Sequence, residues 1–280
     1  SRLKKKDLVY EKEGACWFKS TLFGDPRDRV IVKGNEWKTY LAGDMALHQY
    51  KLEEKKFSKV INVWGADHYG DVPGLQAVVQ ALGHAGKLEV ILLQFVTLFE
   101  KGEQFKMSKR LGNYVTMDEL LETVGLPAAR FFFLQKSPDT HLNFDVDLAK
   151  EQSEKNPVYY VQYAYARSCS IFAKIKSEKL NLKPSAQDLN LLIHESELNL
   201  IKQLLRLPEV VEDTARDYQV QRLPQYALDL AASFHQFYRD CHVVLEDKKM
   251  SRARLALVQA SRIVIKNTLD LLGIPAPEKM

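Results

Sequence analysis

Lys59-Val60-Ile61-Asn62-Val63-Trp64-Gly65-Ala66-Asp67-His68 is the stretch from which the architecture follows. Residues 59–64 are apolar and β-branched, as a buried strand requires, and Gly65 ends the run. A helical pattern follows over residues 73–82, opening on Pro73 and closing near Gly83. A second apolar β-type run covers residues 88–96. Strand, helix, strand is the pattern of parallel strands joined by a right-handed crossover. Ligands of such sheets sit at the loops beyond the strand C-termini, and residues 65–68 form one of those loops.

Upstream, Ala15-Cys16-Trp17-Phe18 and Arg29-Val30-Ile31-Val32 read as short strands around the turn-rich Gly24-Asp25-Pro26. The spacing predicts a helix over residues 45–56, with Asp44 placed to cap it. Downstream of Asp147 the texture changes. Long amphipathic helical patterns cover Pro157–Ser177 and residues 195–206, 208–217, 224–245 and 250–272, with a linker at 179–185. The second half therefore reads as an all-α bundle, and the expected boundary lies between residues 147 and 157, ahead of Asn156-Pro157.

Composition bounds the function classes. The 280 residues are 46% hydrophobic and 27% charged, which argues for globular domains rather than disorder. A formal charge of +4 is compatible with a polyanionic partner without requiring one. Three scattered cysteines, Cys16, Cys169 and Cys241, show no metal-ligand spacing and read as buried thiols in a reducing compartment. No apolar run reaches membrane-spanning length, and a cytoplasmic location is expected.

Lys106-Met107-Ser108-Lys109-Arg110 holds two ammonium groups on a short segment between Lys101-Gly102-Glu103 and Gly112-Asn113. Such a loop can close on a nucleoside triphosphate and neutralise charge building on departing pyrophosphate. Lys249-Met250-Ser251-Arg252 is nearly the same string, but it lacks the second lysine and opens a helical run. It reads as a helix start with no catalytic role.

Residues 106–110 resemble the signature loop of class I aminoacyl-tRNA synthetases, and the flanking text resembles the arginyl-tRNA synthetase family. The resemblance is carried by Val63-Trp64-Gly65-Ala66-Asp67-His68, Ala128-Ala129-Arg130-Phe131-Phe132-Phe133-Leu134, Asn156-Pro157-Val158-Tyr159-Tyr160 and the ending Leu271-Leu272-Gly273-Ile274-Pro275. It covers essentially the whole chain, in order. It implies an α/β plus all-α organisation: residues 1–147 as the second half of a Rossmann-type catalytic domain, and residues 148–280 as a helical anticodon-binding domain.

The implied activity is arginine–tRNA ligation: arginine and ATP, with Mg²⁺, give arginyl-adenylate, and arginine then passes to tRNA(Arg). Lys106 and Lys109 would be the catalytic pair at the ATP phosphates, with Met107 and Ser108 shaping the loop around the nucleotide. Gly65, Asp67 and His68 would lie at the ATP site, the glycine allowing close approach and the carboxylate accepting from ribose hydroxyls. Asp67 also reads as a turn residue or helix cap, and His68 as a hydrogen-bond partner within the loop. Tyr40 and Asp44 would bind arginine, since a guanidinium seeks a planar carboxylate and tolerates an aromatic neighbour. Tyr160, Tyr163, Arg167 and the terminal Met280 would meet the anticodon loop, where splayed bases stack on rings and guanidinium planes. The competing reading places the tyrosines in a core seam. Phe234, Phe237 and Tyr238 read as core.

Two departures stand out, Leu47 where the family has an aromatic residue and Gly74 near a usual basic one, while Arg110 closes the loop in place of serine, as this family commonly shows. None of the seven histidines forms the His-x-Gly-His signature of class I enzymes. The expectation is a monomeric piece of a longer enzyme, without protein-bound metal and inactive in adenylate formation by itself. A non-catalytic tRNA-binding paralogue is the alternative.

Overall fold

The computed structural model describes residues 2–105 and 115–280. The chain divides into two compact units, Ser1–Phe95 with Pro138–Thr140, and Val96–Ser137 with His141–Met280.

The first unit opens with a short helix α1 (Arg2–Lys5) and an antiparallel sheet of β1 (Val9–Lys12), β2 (Ala15–Phe18) and β3 (Arg29–Val32). Helix α2 (Tyr40–Gln49) runs into a π turn, Tyr50–Glu54. Then come β4 (Val60–Gly65), a 3₁₀ turn (Ala66–Asp71), α3 (Val72–Ala81) and β5 (Leu88–Leu93). β4 and β5 pair in parallel from Val60↔Leu88 to Gly65↔Leu93, as the strand–helix–strand pattern predicts. Helix α3 turns one side to Phe18 and Ile31 through Ala77, Val78 and Ala81, and packs Val79 against Leu52 and Val60.

Three expectations change here. The strand at 59–64 is buried on one face only: Val60 and Asn62 are inside, while Ile61 and Val63 are 44% and 58% exposed. Among the described residues its sheet has two strands, and an apolar run does not reveal how many neighbours cover it. The apolar run 88–96 is not one strand, because the Gln94 N–H leaves the ladder to bond the Pro138 carbonyl at 2.8 Å. Asp44 does not cap a helix. The helix begins at Tyr40, and Thr39 is its N-cap residue, pinned to β3 by Oγ1 donating to the Val30 and Ile31 carbonyls at 2.9 and 3.3 Å.

The second unit contains β6 (Val96–Glu100), β7 (Glu103–Gln104) and β8 (Leu142–Asp145), in the order β7-β6-β8 with β6 and β8 parallel. Helix α4 (Met117–Leu134) starts on a capping box between Thr116 and Glu119 and breaks at Gly125, whose φ of 79° no ordinary helix residue adopts. Arg130, within the Ala-Ala-Arg segment, donates from Nε to the Leu272 carbonyl at 2.7 Å. After α5 (Val146–Lys150), Asn156 caps α6 (Pro157–Ser177) and ties it back by donating to the Ala149 and Glu151 carbonyls.

The bundle continues with α7 (Glu195–Leu205), α8 (Leu207–Asp217), α9 (Arg222–Asp240) and α10 (Lys248–Leu272). A 3₁₀ turn at Ala186–Leu191, unmarked in the sequence reading, follows the linker. The helix expected to reach 245 stops at Asp240. Lys249-Met250-Ser251-Arg252 is the first turn of α10, capped by Asp247, and Ser251 is fully buried against Leu245, in agreement with the structural reading of that string. The core gathers Phe131, Phe144, Leu200, Leu230, Phe234, Phe237 and Leu255. One buried ion pair crosses it: Arg254 Nε meets the Glu197 carboxylate at 2.7 Å, with Glu197 fully enclosed. Cys241 is buried, whereas Cys16 and Cys169, expected buried, are partly exposed; all three are free thiols.

Candidate functional site

In the first unit a cleft of about 440 Å³ is lined by Tyr40, Asp44, Trp64 and His68, with Arg29, Asp71 and Gly74 on its wall. Its floor is held by two tethers. Arg29 of β3 donates to both oxygens of the buried Asp25 at 2.7 and 2.9 Å and reaches the Gly70 carbonyl at 2.9 Å, so the Ala66–Asp71 turn is anchored to the sheet. Burial opposes the charge on Asp25, but the Arg29 and Ser20 hydrogen bonds outweigh it and hold the carboxyl below the usual carboxylate range. Gly74 leaves the room Arg29 needs, since a Cβ there would lie 3.3 Å from Arg29 Nε.

The second tether fixes Asp44. The His48 Nδ1–H donates to the Asp44 carbonyl at 2.8 Å, and its Nε2 accepts from the Asn62 amide of β4 at 3.0 Å. The backbone of Asp44 is thereby locked to the sheet while its carboxylate has no hydrogen bond or ion pair among the described residues. Tyr40, at the helix start, is 97% exposed.

At the end of β4, Asp67 folds back over Gly65 so closely that a Cβ on Gly65 would sit 2.6 Å from Asp67 Oδ1. His68 packs on Trp64 with centroids 5.9 Å apart and bonds Asp71 at 3.3 Å, so its hydrogen bond within the loop is made.

The second unit holds a wider cleft of about 890 Å³, lined by Tyr159, Tyr160, Tyr163 and Arg167 of α6 and by His235, Tyr238 and Arg239 of α9. Asn156 and Pro157 start α6 so that one face carries these aromatic residues while Val158, Val161 and Ala164 enter the core. The guanidinium of Arg167 lies 4.5 Å from the Tyr163 ring centroid and 4.6 Å from that of Tyr238. It donates from Nη1 to His235 Nδ1 at 3.0 Å and from Nη2 to the Tyr163 hydroxyl at 3.1 Å. The His235 ring packs 4.7 Å from that of Tyr160. Burial, chiefly, holds the His235 pKa below its usual value, and burial likewise raises that of Tyr160.

Of the residues singled out in the sequence, Tyr40, Asp44 and His68 share the first cleft and Tyr160, Tyr163 and Arg167 share the second. Gly65 and Asp67 stand at the strand end beside His68 without lining that cleft. Met280 is half exposed and is not among the residues of the second cleft. Lys106, Met107, Ser108 and Lys109 lie outside the described residues. Tyr238 is not core. It is 41% exposed, whereas Phe234 and Phe237 are fully buried as expected. His235 and Tyr238 repeat the three-residue spacing of Phe234 and Phe237 one step around α9, and that offset polar-aromatic pair was the signal to follow. Arg29, Trp64, Asp71, Tyr159 and Arg239 were also missed. Only the tertiary packing brings the first three together.

No helix among the described residues is long and apolar enough to cross a membrane. No cluster of three or more His, Cys, Asp or Glu side chains suited to a metal occurs among them.

Comparison with known proteins matches residues 1–152 to the family described as tRNA synthetases class I (R), catalytic domain, and residues 161–280 to the DALR anticodon binding domain. The chain is 49% identical over 280 residues to arginine–tRNA ligase of Moorella thermoacetica, covering 99% of this chain and 50% of that protein. It is 48% identical over 281 residues to the arginine–tRNA ligase of Bacillus velezensis, covering 99% of this chain and 50% of that protein. The chain thus spans about half the length of the curated relatives it matches. A solved structure of a Campylobacter jejuni arginyl-tRNA synthetase superposes with a TM-score of 0.88 at 36% identity, covering 100% of this chain and 60% of that one. The Thermus thermophilus arginyl-tRNA synthetase shares the fold, with a TM-score of 0.83 at 24% identity over 100% of this chain and 57% of that one. A catalytic-domain match spanning more than half of the chain, with an anticodon-domain match after it, shows that the chain belongs to the class I tRNA synthetase (R) family.

Proposed function

We propose that the chain works as part of a cytoplasmic arginine–tRNA ligase, residues 1–147 contributing to arginyl-adenylate formation and residues 148–280 reading the anticodon of tRNA(Arg). The observation that carries this is the convergence of Tyr160, Tyr163 and Arg167 on one aromatic and cationic cleft. Rings for stacking and a guanidinium for base edges are what an unpaired RNA loop requires. With two rings already against it, Arg167 offers the edge of its guanidinium rather than a face.

In the first cleft the Asp44 carboxylate, without a competing partner among the described residues, supplies a bidentate acceptor for the arginine guanidinium, and Tyr40 a neighbouring ring. Gly65, Asp67 and His68 take the adenosine side of ATP. Lys106 and Lys109, with Met107 and Ser108, close on its phosphates, and Mg²⁺ enters with ATP as part of the substrate. Met280 is assigned to the anticodon loop on the family resemblance alone. The working form is a monomer.

The test is the affinity of the full chain for a tRNA(Arg) transcript and for the same transcript with its middle anticodon cytosine replaced, at fixed salt. A loss of tenfold or more on replacement is expected, on the order of one base-specific contact. Equal affinities would overturn the anticodon reading. Pyrophosphate exchange by this chain alone is expected to be negligible, and full exchange would overturn the division of labour stated here.

A further inference from the structure

Arg167 faces the second cleft, but a guanidinium on a long side chain reads a base only if something fixes its edge. Two bonds do so: Nη2 to the Tyr163 hydroxyl on its own helix, and Nη1 to His235 on α9. The second has a defined chemical state. A guanidinium has no acceptor, so His235 Nδ1 must accept. The Tyr160 carbonyl, 3.3 Å from Nε2, can only accept, so Nε2 carries the proton. Both ring nitrogens are satisfied in one neutral tautomer and in no other.

We propose that His235 is a positioning residue for base recognition: its unprotonated Nδ1 holds the Arg167 guanidinium so that two of its three remaining N–H groups face the cleft as a fixed donor pair. Two of the five guanidinium N–H groups are spent inside the protein, and the others have no partner among the described residues. An adjacent pair of donors fits a base edge with two neighbouring acceptors, the O2 and N3 of cytosine. Uracil puts an N–H at the matching ring position and is rejected. The assignment rests on the anticodon reading above. It adds the residue that turns a mobile cation into a selective one.

Protonation of His235 would replace the acceptor with a donor facing a cation, and the clasp would open. The charged and titratable groups around the ring are Glu154 ahead of α6, Tyr159, Tyr160, Tyr163 and Arg167 on α6, and Tyr238 and Arg239 on α9. The phenols ordinarily titrate far above neutrality, and burial places the imidazole's protonation below the ordinary histidine range, so the clasp is closed at neutral pH and opens on acidification.

A crossed pair of variants separates clasping from packing. His235→Phe keeps a ring against Tyr160 and removes the acceptor. His235→Asn loses the ring and keeps an oxygen at the Nδ1 position. The full chain and both variants are titrated with the tRNA(Arg) transcript and its middle-base replacement at fixed salt, and the affinity ratio is read. The ratio is expected to drop by about tenfold in His235→Phe and to stay within about threefold in His235→Asn. In the unmodified chain it is expected to fall as pH drops through a value below the ordinary histidine pKa, a readout that needs no variant to fold. No preference in the unmodified chain would overturn the anticodon reading and this assignment with it. A preference that survives intact in His235→Phe, or is lost in both variants alike, would overturn the assignment alone.

Discussion

The second unit lines its cleft with side chains that already hold one another, whereas the central carboxylate of the first unit has no partner among the described residues. Arg167 is bonded to Tyr163 and His235 and packed on two rings before any ligand arrives. Asp44 is fixed only through its backbone, by way of His48 and Asn62. The scaffolds differ in the same sense. α6 and α9 stand on fully buried Phe234 and Phe237, while β4 carries Ile61 and Val63 on an open face. The second cleft is preorganised by its own fold, so ligand binding there requires little ordering. The first presents a carboxylate that is open to an incoming cation.

Four measurements break or sharpen this contrast. Phe237→Ala removes a large side chain from under the second cleft and is expected to cost about 3–5 kcal/mol in urea unfolding monitored on the helical signal. A cost under about 1 kcal/mol would mean the bundle is not the rigid support described. Glu197→Ala strips the partner from Arg254 and is expected to cost about 3 kcal/mol by the same assay, somewhat less than a fully buried pair because Arg254 keeps some water contact.

Asp44→Asn keeps the helix and removes the acceptor charge. Arginine binding by calorimetry is expected to weaken about tenfold or more, with melting temperature unchanged. A large loss of stability instead would show that the carboxylate is structural. The smallest effect concerns pH. Asp25 has its folded pKa depressed through Arg29 and Ser20, so its contribution is complete above the ordinary aspartate pKa of about 4 and is lost as pH falls through the lower folded value. Unfolding of the first unit should steepen below about pH 4. Asp25→Asn should flatten that dependence while costing about 1–2 kcal/mol near neutrality. An unchanged acid profile would remove Asp25 from the account.

Periodicity made the main elements legible. The α/β start, the parallel β4–β5 pair, the crossover α3 and the helical second half all follow from patterns of 2 and 3.6 residues. Boundaries were less legible wherever tertiary bonds set them. Thr39 starts α2 because β3 offers it carbonyls, and Gln94 ends β5 because Pro138 draws its N–H away. Neither partner is near in sequence. The capping box at Thr116 and Glu119 was a local signal that was present and went unread.

At the level of sites, the resemblance to the synthetase family, with residue chemistry in agreement, named the groups to suspect: Asp44 and Tyr40 for a guanidinium, and Tyr160, Tyr163 and Arg167 for bases; the pattern around Lys249 gave a helix start rather than a loop. The sequence did not determine their state. Whether Tyr238 packs inside or lines a cleft depends on a rotation of 100° about α9, and whether His235 holds a proton on Nδ1 or Nε2 depends on an arginine 68 residues away. Composition and spacing are local and survive in the linear chain. Exposure, tautomer and the satisfaction of each donor and acceptor are properties of groups brought together from distant positions, and only the folded arrangement fixes them.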